Sequence, residues 1–182
     1  MLKWPSVSSF MKVIQRFYVG HKMKIIHSHD LDNINEEIYV KKYVGVIIVN
    51  ANDEIVLQQR LDNWRNYFGC LSTFGGHMEK NELPVEAVIR ELHEELGAVV
   101  NSSDLISLGA VIETFASHQE LVYFFFWKDW NNTITGCYEG QMKCYSLIDQ
   151  ALAHPKILDG VRYALTVCKD NQLIDAVCLE AV

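Results

Sequence analysis

The sequence predicts an α/β fold in which helices cover both faces of a mixed β-sheet. Short runs rich in β-branched and aromatic residues alternate with turn residues, as expected for strands. Two segments, residues 83–96 and 158–168, instead carry apolar residues at helical spacing. We expect residues 39–182 to form one such domain, and residues 1–38 to form an N-terminal arm of undefined structure.

The individual elements follow from local patterns. The first buried strand ends at Val49, and the Asn and Asp residues at 50–53 supply turn chemistry. In the central helix, Pro84 suits the first turn and Gly97 suits the position after the last residue. The predicted strands comprise residues 43–49, 54–60, 105–114, 120–128 and 143–147.

Composition excludes several classes of function. The net charge of −7 makes polymeric nucleic acid a poor ligand, because binding it depends on cationic side chains that displace counterions. The longest apolar run, residues 121–127, is too short to span a bilayer. The cysteines are odd in number and never form a CxxC pair, which favours reduced thiols in the cytoplasm. They are Cys70, Cys137, Cys144, Cys168 and Cys178.

The central helix carries an acidic face that helix stability alone does not favour. Glu91, Glu94 and Glu95 stand at positions i, i+3 and i+4, so their carboxylates project from neighbouring places on one side. Each like-charge pair at this spacing costs roughly 0.2–0.5 kcal/mol on an isolated helix. For three glutamates alone, a solvated acidic surface is the simpler interpretation.

The residues around these glutamates change that interpretation. Gly76 is followed after five residues by Glu82, and after seven more by a segment running from Arg90 through Gly97 to Ala98. This pattern resembles the Nudix box, which reads Gly, five residues, Glu, seven residues, Arg-Glu, an aliphatic residue, any residue, Glu-Glu, any residue, Gly and an aliphatic residue. The one departure is Ala98, where a larger aliphatic is usual, and it affects packing rather than a ligand. The resemblance implies a Nudix-type α/β/α sandwich and hydrolysis of a diphosphate bond.

The resemblance also implies a divalent cation, Mg²⁺ with Mn²⁺ as a substitute, because clustered carboxylates are the ligands these ions prefer. Matched position by position, the metal ligands are the carbonyl of Gly75 and the side chains of Glu91, Glu94 and Glu95, and we include Glu94 among the catalytic residues. Arg90 is also placed in the catalytic set, as a residue that pairs with Glu82 and orients the helix.

Family members often use a further glutamate outside the box as a ligand or as the general base. Glu139 resembles that residue, with Glu113 and Glu120 as alternatives, and an ordinary loop carboxylate is as good an interpretation of Glu139. Asn81 stands where many relatives have glycine, and asparagine tolerates the left-handed conformation better than most residues.

The substrate side of the site is predicted from residues near the box. Arg60, Trp64, Tyr67 and Gly76 are the candidate substrate contacts, with the two aromatic rings available to stack on a base. Phe74 is better explained as a core residue. His77 and His93 occupy variable positions of the box, where surface or supporting roles are simpler than catalysis.

The sequence is compatible with several substrates and has to be compared with two rival functions. A (deoxy)nucleoside triphosphate is the favoured small-molecule substrate, and nucleotide-sugars and dinucleotides are the alternatives. An isopentenyl-diphosphate isomerase would need a cysteine next to the Gly-His pair, and Cys70 lies too early in the chain. A sensor that binds nucleotides without cleaving them usually lacks one of the box glutamates. An apolar stretch at residues 173–179 is compatible with a homodimer.

Overall fold

The computed structural model describes residues 22–61, 67–115 and 117–174, and within these ranges the chain forms one seven-stranded sheet with three α-helices. The strands are β1 (Lys22–Ile26), β2 (Lys41–Val49), β3 (Ile55–Gln59), β4 (Leu71–Ser72), β5 (Leu105–Thr114), β6 (Gln119–Lys128) and β7 (Gln141–Tyr145). The helices are α1 (Pro84–Leu96), α2 (Ile148–Leu152) and α3 (Asp159–Asp170), and short 3-10 turns occupy Ser28–Asn33, Glu36–Ile38 and Ser102–Asp104.

The sheet is mixed, as predicted. Its order is β1-β5-β6-β2-β3-β4, and β7 pairs with β3 outside this path. Strands β2 and β6 run parallel from the pair Lys41–Glu120 to the pair Val49–Lys128, whereas the other pairings are antiparallel. The central parallel pair therefore fixes which residues of β2 and β6 lie side by side.

Helices cover both faces of the sheet, which confirms the predicted sandwich. One core cluster joins the apolar side of α1, including Val88 and Leu92, to the β2 residues Val46 and Ile48. The other cluster joins α2 and α3 to the opposite face of the same strands. Phe74 is fully buried in the first cluster, as expected. In the described part of the chain, no helix is long and apolar enough to cross a membrane.

The sheet begins earlier than the predicted domain boundary at residue 38. Lys22–Ile26 pairs in register with β5, from Lys22–Thr114 to Ile26–Ala110, so this part of the predicted arm belongs to the domain. Alternating lysines before two isoleucines form an edge strand, where lysine discourages pairing with other chains. The strand is too short to give a clear pattern in the sequence. Residues 1–21 lie outside the described ranges.

Strand β2 changes partner along its length, and this change opens the space for a site. Its last residues pair with β3, through Ile48–Val56 and Val49–Ile55. Earlier along β2, Val46 N–H donates to the Phe74 carbonyl at 3.0 Å and Val44 N–H donates to the Gly76 carbonyl at 2.9 Å. The segment that leads into α1 is thus held against β2 by backbone hydrogen bonds.

Candidate active site

A cavity of about 440 Å³ lies where β2 separates from β3. Its wall joins three parts of the chain: the segment around Gly75, the acidic side of α1, and the loop before β7. Strands β5 and β6 and the first turn of α3 complete the wall on the far side. We call the part around Gly75 the cleavage end, and the part formed by β5, β6 and α3 the far end. The cleavage end is lined by Gly75, Gly76, Glu91, Glu95 and Glu139.

The acidic face of α1 does not point into the cavity as a whole. Glu91 and Glu95, one helical turn apart, line the cavity, whereas the side chain of Glu94 is 58% exposed. At 100° per residue, Glu94 is turned away from the line that joins the other two. Glu94 contacts Arg90 Nη1 at 3.2 Å on the outer side of the helix. The structure therefore brings two of the three predicted helix carboxylates together.

Glu95 is the most buried of these carboxylates, at 4% exposure. Its Oε2 accepts a hydrogen bond from the Gly75 N–H at 2.7 Å, and its Oε1 accepts one from Gln58 Nε2 at 3.1 Å. Burial raises the pKa of Glu95 to about 8, and the nearby carboxylates Glu139 and Glu91 add to this shift. A carboxylate in this setting gains strongly from an added cation.

Burial is also the main cause that raises the pKa of Glu91, and the charge of Arg90 opposes it. The position of the Glu91 carboxylate depends on Gly76, which has no side chain to displace it. A Cβ on Gly76 would lie 2.6 Å from Glu91 Oε1, and a Cβ on Gly75 would lie 2.3 Å from the Val44 carbonyl oxygen. Gly75 has a φ of +122°, which side-chain-bearing residues rarely adopt. A side chain at Gly75 or Gly76 would therefore disturb the close approach of backbone, strand and carboxylate.

Arg90 organises the loop and helix from outside the cavity wall. It binds Glu82 with two hydrogen bonds, at 2.8 Å from Nε and 3.0 Å from Nη2, and donates to Glu91 Oε1 at 2.8 Å. A further bond of 3.0 Å reaches the His77 carbonyl. The hydrogen bond from Arg90 lowers the pKa of Glu82. This arrangement agrees with the predicted orienting role, and it places Arg90 behind Glu91 rather than among groups that line the cavity.

Local backbone signals in the box are also confirmed. Asn81 adopts the left-handed conformation with a φ of +66°, as its match to a common glycine position suggested. Pro84 is the first residue of α1, and Gly97 ends the helix in the left-handed conformation with a φ of +63°. His93 is exposed on α1, and His77 lines the cavity with its ring edge-on to Tyr43.

Glu139 lines the cleavage end from the loop before β7. Gln58 of β3 holds this loop, and it was not among the residues predicted from the sequence. Its side-chain amide contacts both the Glu95 carboxylate and, at 3.4 Å, the Glu139 carbonyl oxygen. The available signal was the polar pair Gln58-Gln59, which follows three apolar residues in β3.

The far end contains the two alternatives to Glu139. Glu113 and Glu120 are directly opposite each other on β5 and β6, and both line the cavity. Glu120 is 2% exposed, accepts a hydrogen bond from His118 Nε2 at 2.7 Å, and lies 3.7 Å from Lys41 Nζ. Lys41 was not predicted as a site residue, because its approach to Glu120 depends on the pairing of β2 with β6, and His118, two residues before Glu120, was not predicted either.

Two of the predicted substrate contacts outside the box, Arg60 and Tyr67, line the cavity. Trp64 lies outside the described residues. Arg60 follows β3 directly, so the sheet carries it to the cavity edge. A cationic group facing several carboxylates is suited to an anionic substrate that arrives together with a metal cation.

Of the predicted metal ligands, Gly75, Glu91, Glu95 and Glu139 line the cavity and Glu94 does not, and those that line it do not meet at one point. Among residues 22–61, 67–115 and 117–174, no three Asp, Glu, His or Cys side chains converge closely enough to hold an ion. Protein donors account for this spacing, since Arg90 holds Glu91 while Gly75 and Gln58 hold Glu95. The chemistry of the donors nevertheless fits Mg²⁺ or Mn²⁺, because the cleavage end offers oxygen ligands of net negative charge.

Comparison with known proteins agrees with this architecture. The family model described as NUDIX domain matches residues 40–160. The chain is 32% identical over 105 residues to an 8-oxo-dGTP diphosphatase of Proteus vulgaris, a match that covers 55% of this chain and 89% of the relative.

Solved structures share the fold at lower sequence identity. A Bacillus subtilis pyrophosphohydrolase matches with a TM-score of 0.63 and 18% identity, over 85% of this chain and 94% of that one. The Escherichia coli ORF135 protein matches with a TM-score of 0.60 and 20% identity, over 82% of this chain and 99% of that one.

The fold, the box geometry and the family match together define the class of protein. The chain belongs to the Nudix family. It is a Nudix hydrolase, an enzyme that acts on a diphosphate bond, and the box residues Gly76, Glu91 and Glu95 line the cavity described above.

Proposed function

We propose that this enzyme hydrolyses (deoxy)nucleoside triphosphates to nucleoside monophosphates and pyrophosphate, with Mg²⁺ as the cofactor. The observation that carries the proposal is the cavity itself, which has three carboxylates and two glycines at one end and Arg60 and Tyr67 in the same wall. The Proteus vulgaris relative, an 8-oxo-dGTP diphosphatase, supports a triphosphate substrate.

The Gly75 carbonyl and the carboxylates of Glu91, Glu95 and Glu139 would hold the cation. When bound, the cation supplies positive charge that offsets the phosphates and makes water a better nucleophile. Arg60 then contributes the protein's own positive charge to the phosphate chain, and Gly75 and Gly76 let the backbone approach it closely.

The chemical step is displacement at phosphorus by water. The new P–O bond forms to the water oxygen while the bond to the pyrophosphate leaving group breaks. We assign acceptance of the water's proton to Glu139, an exposed cavity carboxylate that is free to follow the substrate. Glu95 and Glu91 keep fixed positions on α1, and Arg90 fixes the direction of Glu91.

The setting of the activity follows from composition. We place the enzyme in the cytoplasm, because its cysteines are odd in number in the sequence and form no CxxC pair. Its partner is a small nucleotide rather than polymeric nucleic acid, since the net charge of −7 opposes binding to a polyanion without a metal. A homodimer remains a prediction from the apolar residues 173–179.

The test is a substrate panel with product analysis. Purified enzyme with Mg²⁺ is incubated with nucleoside triphosphates, including oxidised ones, nucleotide-sugars and dinucleotides, and phosphate, pyrophosphate and nucleotide products are separated. Glu95→Gln serves as the inactive variant, and Glu37→Gln, which changes an exposed carboxylate, serves as the matched control.

The expected result is pyrophosphate and monophosphate from triphosphates, lost in Glu95→Gln and kept in Glu37→Gln. Turnover of nucleotide-sugars or dinucleotides with little action on triphosphates would replace the proposed substrate class. Tight binding across the panel without turnover would favour a nucleotide sensor.

A further inference from the structure

Gln58 is a polar residue at a buried position, where an apolar side chain is more usual. It lies in β3 between Leu57 and Gln59, and its exposure is only 2%. Burying an amide costs free energy unless its hydrogen bonds are satisfied. The partners that satisfy this amide therefore indicate what the residue does.

Both observed partners belong to the cleavage end. Gln58 Nε2 donates to Glu95 Oε1 at 3.1 Å and to the Glu139 carbonyl oxygen at 3.4 Å. An amide NH₂ group has two hydrogens, and it here faces two acceptors. A carboxylate and a carbonyl accept rather than donate, so the orientation of the amide follows from its neighbours.

The loop that carries Glu139 is fitted closely against Gln58. Gly140 has a φ of +66°, and a Cβ added there would lie 2.8 Å from Gln58 Cγ and 3.0 Å from the Gln59 carbonyl oxygen. Only glycine allows this backbone to lie directly on the Gln58 side chain. One side chain in β3 thus contacts a carboxylate of α1 and the loop before β7.

We propose that Gln58 is a positioning residue that holds the Glu95 carboxylate and the Glu139 loop in the arrangement that binds a divalent cation. The proposal rests on the metal-dependent function proposed above. A neutral donor suits this role, because it orients a carboxylate without cancelling the charge that attracts the cation. Hydrogen bonds to metal-binding carboxylates typically change metal affinity 10–100-fold when they are removed.

The test measures Mn²⁺ binding directly, by electron paramagnetic resonance of the free ion, with no nucleotide present. Gln58→Met keeps the length of the side chain and removes both donors. Gln59→Met is the matched control, because Gln59 is the next residue of β3 and its Nε2 donates to the Gly69 carbonyl at 3.4 Å instead. Thermal unfolding in EDTA reports whether each metal-free variant is folded.

We expect Gln58→Met to raise the Mn²⁺ dissociation constant by about 10–100-fold and Gln59→Met to change it less than about twofold. A purely structural role would lower the melting temperature of metal-free protein and leave the Mn²⁺ affinity of the folded fraction unchanged. That second result, in a folded Gln58→Met variant, would overturn the proposal.

A variant in the loop keeps the proposal testable if Gln58→Met does not fold. Gly140→Ala lies on the loop rather than in the core and displaces the Glu139 backbone from Gln58. We expect it to weaken Mn²⁺ binding as well, and unchanged binding would count against the proposal. Because the binding assay needs no substrate, an enzyme that binds Mn²⁺ but leaves triphosphates intact would refute the proposed substrate and not the role of Gln58.

Discussion

The two ends of the cavity each contain a nearly buried glutamate, and the protein treats these two carboxylates differently. At the cleavage end, Glu95 accepts hydrogen bonds from two uncharged donors, the Gly75 N–H and the Gln58 amide. At the far end, Glu120 lies beside Lys41 Nζ and accepts a hydrogen bond from His118 Nε2.

The difference between the ends concerns where the compensating charge comes from. An amide or a backbone N–H orients a carboxylate but leaves most of its charge, whereas a lysine offsets the charge within the protein. The cleavage end is thus arranged to receive a metal cation. At the far end, the ammonium group of Lys41 already offsets the charge of Glu120. We infer that the far end contributes to binding and stability, and that the cleavage end carries the chemistry.

The largest expected effect that separates the two ends comes from Gly76→Ala. The new Cβ would lie 2.6 Å from Glu91 Oε1, and the flexible end of that side chain must move. Because a misplacement of about 1 Å at a reacting centre costs on the order of 100-fold in rate, kcat should fall by that factor. The free energy of unfolding should change little, and both quantities are measured on the same preparation.

Gly160→Ala is the counterpart at the far end. Its Cβ would lie 2.8 Å from Cζ of Phe124, a ring that is only 3% exposed. Overpacking of this kind costs about 1–3 kcal/mol of stability, and we expect kcat to be retained. If Gly160→Ala instead lowers kcat as strongly as Gly76→Ala, the division of the cavity into two ends is wrong.

Glu120→Gln tests the binding role of the far end. The amide keeps the shape of the side chain but removes the charge that faces His118 and Lys41, so stability should fall by about 1–3 kcal/mol. For the substrate we expect KM to rise by roughly tenfold or less with kcat unchanged, the signature of lost uniform binding. Steady-state kinetics at saturating Mg²⁺ measures both constants, and a loss confined to kcat would move Glu120 into the catalytic machinery.

The raised pKa of Glu95 predicts that the stability of the metal-free protein depends on pH. Its folded pKa of about 8 lies above the ordinary glutamate value of 4.5, so folding favours the protonated form. This contribution to stability is complete below about pH 4.5 and is lost as the pH rises through about 8. Between these values, the melting temperature in EDTA should fall by several degrees more in wild type than in Glu95→Gln.

Two further outcomes test the same pH dependence. Adding Mg²⁺ at the alkaline end of the range should raise the melting temperature of wild type more than that of Glu95→Gln, since the cation offsets the carboxylate charge. Parallel melting curves for the two proteins across the range would show that Glu95 ionises as freely in the folded state as in the unfolded chain.

The sequence predicted the cleavage end well because most of it is one continuous segment. Asn81, Pro84 and Gly97 set the turn before α1, its first residue and its end through local backbone preferences. Helical geometry placed Glu91, Glu94 and Glu95 on one side, and of these Glu91 and Glu95 line the cavity. The mixed sheet between helices was predicted for the same reason, because each long strand and each long helix has a clear local sequence pattern.

The remaining features depend on contacts between distant parts of the chain. Gln58 and the Glu139 carbonyl are 81 residues apart, and they meet only because β7 pairs with β3. Glu120 meets Lys41 through the parallel pairing of β6 with β2. Strand β1 was missed because five residues beside an edge give too short a pattern. Such contacts follow from the order in which the strands pair, and the local sequence of each strand does not specify that order.

The smallest expected effect is that of Glu94→Gln, and it tests the one predicted helix ligand that does not line the cavity. Glu94 is 58% exposed, its contact with Arg90 Nη1 measures 3.2 Å, and it does not line the cavity, whereas Glu91 and Glu95 do. An exposed i, i+4 ion pair contributes about 0.3–0.5 kcal/mol, so kcat/KM should stay within about twofold of wild type. Mn²⁺ affinity should likewise be unchanged, with Glu95→Gln measured in parallel as the variant that loses it. A loss as large as that of Glu95→Gln would mean that Glu94 turns toward the cavity when metal and substrate bind, and the two α1 carboxylates that line the cavity would become the predicted set of three.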